Sequence, residues 1–203
     1  MGLKANADGS GAIQVGGSDA ITITSGLNTT FAGTVQASGV ATNLYPLVAG
    51  TAQTTTSGTA INFTGIPSWV DRVTIMFSGM STSGTSPPQI QLGTSGGIVS
   101  TGYLGSSTIV NPSPVSVLFT TGFGIAPNTA NWSGTVVVHG AIILTLQTGN
   151  TWVCAGSVGR SDAASTYLTN GGIALGGTLD RVRITTVNGT DTFDAGSINI
   201  LYE

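Results

Sequence analysis

Charge is what this sequence has least of. Only 6% of its 203 residues are Asp, Glu, Lys or Arg, where an ordinary globular domain carries about 25%. From Val73 to Gly159 there is none of the four, and the lone histidine, His139, lies inside that gap. Five basic residues spread along a chain of net charge −3 make no basic patch, so nucleic acid is not an expected partner. A single cysteine, Cys154, excludes an intrachain disulfide and a zinc site built on cysteines. Its neighbours in "TWVCAGSV" mark it as a small buried hydrophobe. Long apolar runs are missing too. The longest, Val136 to Leu146, is broken by His139, Gly140 and Thr145, and a spanning helix needs about 20 apolar residues, so membrane insertion is not expected. The start, "MGLKANADGSG", has no apolar h-region, and Asn6 stands where a myristoylation motif wants Ser or Thr.

What remains is rich in Gly, Ser, Thr and Val, with 40% hydrophobic residues. That is too apolar for a disordered chain, and it suits pleated strands joined by tight turns. No stretch holds a helical period. The expected strands are 51–63, 69–79, 87–93, 106–110, 114–121, 132–147, 150–158, 165–169, 172–176, 179–187 and 194–202. Their breaks include "STSGTSPP", "NPSP", "APNTAN", "NGG" and "NGTD". The spacing predicts an all-β fold, an antiparallel sandwich or jelly roll, with Val73, Ile75, Phe77, Val117, Phe119, Val137, Ile142, Leu144, Val182, Ile184, Ile198 and Ile200 in the core.

Residues 1–43 differ. Small apolar beats (Ile13, Val15, Ile21, Ile23, Leu27, Phe31, Val35, Val40) are punctuated by Gly, Ser, Asp and Asn. "AITIT" alternates strictly, as a half-buried strand does. Forty such residues cannot close a core alone, so partner chains are expected to cover them. The division is therefore an intertwined stalk or anchor, 1–43, and a sandwich head, 44–203. "TVVVHGAIILTLQ" is apolar on both faces, which predicts cover on both sides, by the facing sheet and by a neighbouring subunit or loop, with His139 buried, neutral and hydrogen-bonded.

The few charges concentrate in two look-alike stretches, "WVDRVTI" at 69–75 and "LDRVRIT" at 179–185. Each follows a turn and opens an alternating strand. This places Asp71, Arg72, Asp180 and Arg181 at the strand mouths as structural ion pairs, at equivalent strand starts of a pseudo-symmetric sandwich, rather than as an anion grip.

Candidate chemistry is thin. "GTSGG" at 93–97 matches G-x-S-x-G, but the nucleophile elbow needs a strand-to-helix turn, and no helix follows. Asn188, Asp191 and Asp194 in "NGTDTFDAG" offer oxygens to a calcium ion, though the same residues suit a hairpin turn. No paired carboxylates have glycosidase character. The expectation is a protein without catalytic residues, cofactor or metal.

The stretch "SGTAINFTGIPSWVDRVTIMFSGMSTSGTSPPQIQLGTSGGI" at 57–98 resembles a module recurrent in tailed-bacteriophage fibre proteins. "LDRVRITTVNGTDTFDAGSINILYE" at 179–203 looks like the end of the same module, and residues 3–35 are similar to the attachment and stalk segments of such fibres. The resemblance implies a virion structural protein, a homotrimer at the particle surface, bound through residues 1–43 to another tail or capsid protein. It brings no catalytic or ligand residue. A tail fibre would touch a host receptor, and a head fibre or decoration protein would not. A stand-alone carbohydrate-binding module is the rival, and it needs exposed aromatic faces. Tyr103, Tyr167 and Trp132 are the expected contacts for a host glycan, with Trp69 a further candidate and Trp152 assigned to the core.

Overall fold

The computed structural model divides the chain into two compact units, Met1–Pro46 and Leu47–Glu203. The described residues are 47–203 and, before them, the backbone of six short strands. Of these, β1 (Gly2–Ala5), β2 (Gly11–Val15), β3 (Ser18–Ile23) and β4 (Thr29–Thr30) pair in that order, and β5 (Val35–Ala37) pairs with β6 (Val40–Thr42). The first four residues of the alternating "AITIT" fall in β3. What covers Ile13, Val15, Ile21 and Ile23 lies outside the described residues, as do the anchoring and intertwining expected of 1–43.

The second unit is all-β and antiparallel, with no helix among the described residues. Its strands are β7 (Val48–Ala49), β8 (Gln53–Thr54), β9 (Ala60–Thr64), β10 (Arg72–Thr82), β11 (Pro88–Thr94), β12 (Gly97–Ile98), β13 (Leu104–Val110), β14 (Val115–Phe119), β15 (Phe123–Gly124), β16 (Val138–Thr148), β17 (Thr151–Arg160), β18 (Thr166–Ala174), β19 (Arg181–Thr186) and β20 (Phe193–Tyr202). A nine-stranded sheet runs β14-β13-β18-β17-β16-β10-β20-β7, with β8 also on β20. A five-stranded sheet runs β12-β11-β19-β9, with β15 also on β11. Their inner faces share one core, in which Val73, Ile75, Ile142 and Leu144 of the large sheet and Ile90, Leu92, Val182 and Ile184 of the small one are fully buried.

The two Asp-Arg-Val stretches open β10 and β19, an inner strand of each sheet. Val73 and Val182 enter the core from the same end of the unit, where Asp180 O accepts from Ile66 N–H at 2.9 Å and Glu203 O from Asp71 and Arg72 N–H at 2.9 Å. The two stretches do not occupy equivalent places in one repeated sheet. They belong to opposite sheets, because each quoted segment sends its first strand (β9, β19) to the small sheet and its second (β10, β20) to the large one. The first strands pair with each other, Ile61 opposite Ile184, and so do the second, Ile75 opposite Ile200.

Several expectations need correcting. "NGG" at 170–172 is not a turn, and β18 runs straight through it. A Cβ on Gly171 would stand 2.7 Å from Gly105 Cα and 3.0 Å from the Phe123 ring, so glycine here serves close strand and ring approach. Val117 is only half-buried, on a strand near the sheet edge, and Val137 is half-buried too. β16 begins at Val138, so Val136 and Val138 take the core positions, and the Val137 backbone serves the loop beside it. His139 is exposed, not buried, because it points outward from β16. There it serves a bulge. The β10 register shifts between Ser78 and Met80 against β16, and between Ser78 and Ser81 against β20. Gly79 and Gly196 take φ of +66° and +88°, and a Cβ on Gly196 would lie 2.2 Å from Gly79 O. The Gly79 N–H donates to His139 Nδ1 at 3.1 Å, which gives an otherwise displaced donor a partner.

Leu144 is fully buried where the two sheets meet, and truncating such a side chain leaves a cavity. Leu144→Ala is expected to lower stability by about 2–5 kcal/mol, read as a fall in urea midpoint with an unchanged slope.

Candidate functional site

Two ends and one open face are available for function. Leu47 leads into β7, which pairs with the end of β20, Val48 opposite Tyr202. It therefore lies at the Asp-Arg-Val end of the unit. The opposite end gathers the loops 83–87, 111–114, 125–137, 161–165 and 187–192.

Those loops are held by side-chain hydrogen bonds rather than by charge. Asn188 Oδ1 accepts the N–H groups of Thr190 and Asp191 at 3.0 and 3.2 Å. The Asp191 carboxylate accepts from Asn188 Nδ2 at 2.8 Å and from Ser86 N–H at 2.9 Å. These are turn-forming bonds, and they occupy the oxygens that a calcium ion would need. No group of three or more His, Cys, Asp or Glu poised for a metal occurs among the described residues. Ser83 Oγ accepts from Thr192 N–H and hydroxyl at 3.1 and 2.9 Å, and Asn128 Oδ1 accepts from Ala130 and Asn131 N–H.

Besides the Asp191 carboxylate, the charges of this end are Arg160 and Asp162, which form its ion pair, Nε to Oδ1 being 3.1 Å. Val137 N–H also donates to Asp162 Oδ1, at 3.3 Å. The hydrogen bonds from Arg160 hold the Asp162 carboxyl below the usual carboxylate range, against the opposing pull of partial burial. Beside them the Tyr167 hydroxyl donates to the Asn131 carbonyl, and Trp132 Nε1–H donates to Thr82 Oγ1 at 2.7 Å. The Trp132 and Tyr167 rings meet at 6.1 Å. Two further buried atoms of these loops, Asn131 Oδ1 and Ser165 Oγ, have no hydrogen-bond partner among the described residues.

The expected receptor contacts are therefore corrected. Tyr167, Tyr103 and Trp132 are 0%, 1% and 2% exposed. Tyr103 accepts from Leu92 N–H at 2.7 Å and donates to Val99 O at 3.0 Å, edge-on to Phe123 at 5.0 Å. Burial pushes its hydroxyl up to about 12. Each ring carries one polar atom, and here that atom ties a loop to a strand, so no ring face is left for a sugar. Trp69, half-buried, packs on Tyr202 at 5.9 Å. Trp152 lies in the core, as its neighbours imply.

At the Asp-Arg-Val end the pairing differs between the two stretches. Arg181 binds its neighbour Asp180 through Nε and a terminal nitrogen, 2.9 and 2.7 Å from Oδ2. Arg72 pairs with Glu203, not with Asp71, because β10 and β20 bring strand start and strand end side by side. Both guanidinium groups are thus engaged. A polar cleft of about 460 Å³ beside Asp180 is lined by Ser68, Thr94, Ser95, Thr178 and two glycines. Ser95 sits on the two-residue turn between β11 and β12, Thr94 opposite Gly97. "GTSGG" is thus strand-turn-strand, and His139 is on the other sheet.

The third feature is the outer face of the large sheet, where Leu104 and Leu118 are 81% exposed. They flank a cleft of about 350 Å³ with Ser106, Phe119 and Asn170. Sequence reasoning missed it. "LGSSTIV" alternates, but small and apolar residues fall on both faces, so the pattern does not say which side is buried. Protein-family models, curated proteins and solved structures were compared with the chain, and none matches.

Two measurements check this geometry. The depressed Asp162 carboxyl stabilises the fold fully above its unfolded value, about 3.9, and that contribution is lost as pH falls through the lower folded value. Asp162→Asn is expected to unfold at lower urea than the parent at pH 7, with the gap narrowing below about pH 4. Cys154 is 3% exposed, and burial raises its thiol well above the ordinary value. It should resist Ellman's reagent in the native protein and react within minutes in denaturant.

Proposed function

We propose that this chain is a non-enzymatic structural subunit of a tailed-bacteriophage virion, a homotrimeric fibre or spike at the particle surface. Its head is the jelly-roll-like sandwich, and residues 1–43 are the stalk that attaches to another virion protein. The observation that carries the reading is the meeting of the two stretches that resemble phage fibre modules. Far apart in the chain, 57–98 and 179–203 interlock as β9 with β19 and β10 with β20, one ladder in each sheet. The two stretches that carry the resemblance are therefore neighbours in the fold and not scattered turns. A chain nearly free of charge, with its loops held by amides and hydroxyls, also suits a protein that must persist outside the cell.

Burial of Tyr103, Tyr167 and Trp132 favours a second reading of the role, a head fibre or decoration protein with no receptor. If a host glycan is bound, the loops opposite Leu47 bind it, through hydroxyls and amides. Loops on a rigid scaffold are where binding residues ordinarily sit, and several copies per particle would add avidity to weak single contacts.

Antibody against the purified protein should decorate intact particles of the phage that encodes it, in negative-stain micrographs. Unlabelled particles would sink the virion reading. In the same preparation, saturating soluble protein should compete with adsorption to host cells if the role is attachment. Adsorption at the normal rate assigns it to decoration.

A further inference from the structure

We infer that the outer face of the nine-stranded sheet is the surface through which head domains of separate copies of this chain meet. The inference rests on the self-associating fibre reading and gives its head domain a contact surface of its own. Pairing registers place Leu118, Ser106, Asn170, Ala155, Ile143 and Thr74 in one row across six neighbouring strands. All point away from the core, and a second row beside it carries Leu168, Ser157 and Met76. Between Arg72 at one end and Asp194 at the other, this face has no Asp, Glu, Lys or Arg.

Three arguments select a second copy as the occupant. The first is charge. An antiparallel sheet facing water on one side alternates apolar-in and polar-out, and exposed faces ordinarily carry mixed charge. Here the outward positions are aliphatic, small, hydroxyl- or amide-bearing, with the His139 imidazole near one end, and Leu104 and Leu118 are 81% exposed and Ile143, Val153 and Leu168 38–40% exposed. A charged partner would lose the hydration of its charges here and gain no counter-charge. A copy of the same neutral face loses none, and its Ser, Thr and Asn groups supply donors and acceptors in kind.

The second argument is area. Six strands about 4.8 Å apart and roughly 20 Å long present on the order of 600 Å² in flat projection. Accessible surface exceeds projection, which brings the face near the ~800 Å² per partner of a stable protein interface. The third is shape. The cleft between Leu104 and Leu118 can take an aliphatic side chain from a facing copy, in the manner of interface pockets that receive an anchor residue.

The test uses the full chain with single changes at outward positions: Ala155→Glu, Ser157→Glu and, with the opposite charge, Leu168→Lys. All three sites are exposed, so far-ultraviolet dichroism and urea midpoint should match the parent. Thr64→Glu, exposed on the small sheet, is the control. Mass is read by sedimentation and light scattering from 0.1 to 50 micromolar. The expected result is a parent and control that associate alike, with association of all three face variants weakened at least about tenfold, whatever the sign of the added charge. An associated parent whose face variants keep its mass overturns this inference and leaves the trimer to other elements. A change tolerated with one sign only points to a charged partner and also overturns it. A parent that is monomeric throughout overturns both the inference and the trimer reading on which it rests.

Discussion

The structure depends on the pairing of its last two strands with strands made far earlier. Arg183 Nε–H reaches Asn62 Oδ1 at 2.9 Å across 121 positions of chain, and the β9–β19 and β10–β20 ladders run alongside it. Without β19 and β20, the small sheet has nothing joining β11 to β9, and the large sheet ends at β10 with β7 and β8 detached. Burial of Val73, Ile75, Val182, Ile184, Ile198 and Ile200 follows from that interlock. The hydrophobic term they supply is non-directional. It is the long-range register that turns it into one particular sandwich.

A second constraint is the scarcity of charge. Loop ends that other proteins fix with ion-pair networks are here fixed largely by neutral groups: Asn128 closes its own turn, Ser86 and Ser83 hydroxyls accept from the Asn188 and Thr192 N–H groups, and Thr82 accepts from the Trp132 indole. Neutral hydrogen bonds are less sensitive to salt than exposed ion pairs. The three ion pairs that form among the described residues lie at strand ends, where two of them close a strand start against a neighbouring residue or against Glu203 after β20. The third ties the loop after β17 to the start of β16.

Much of this was legible in the residues. Alternation in "RVTIMF" and "RVRIT" identified core faces correctly, because β-branched and aromatic residues recur at every second position on one side while Arg and Thr, with Met76 the exception, fall on the other. Legibility failed where both sides look alike. In "TVVVHGAII" three valines in a row hide where the strand begins, which put Val137 rather than its neighbours in the core and buried His139. In "TNGGIA" a turn signature is used for close strand approach instead. The aromatic rings misled for a related reason: Tyr103, Tyr167 and Trp132 stand in polar, Gly-rich surroundings that read as loop, yet each spans from a loop into the core. Which outward face is bare could not be read at all, since it depends on which strands are neighbours.

The interlock also orders events during synthesis. Strands β9 to β18 are made before the two that join them, and at about 5–20 residues per second the interval is on the order of ten seconds. Through that time the β9, β10 and β11 edges have no β19 or β20 to cover them, and by its end the strands of the uncharged outer face from β13 to β18 have all been made. Several ribosomes translating one message hold such half-finished chains close together. Neighbours there are copies of the same sequence, so the bare surfaces of one nascent head meet, before anything else, their own kind.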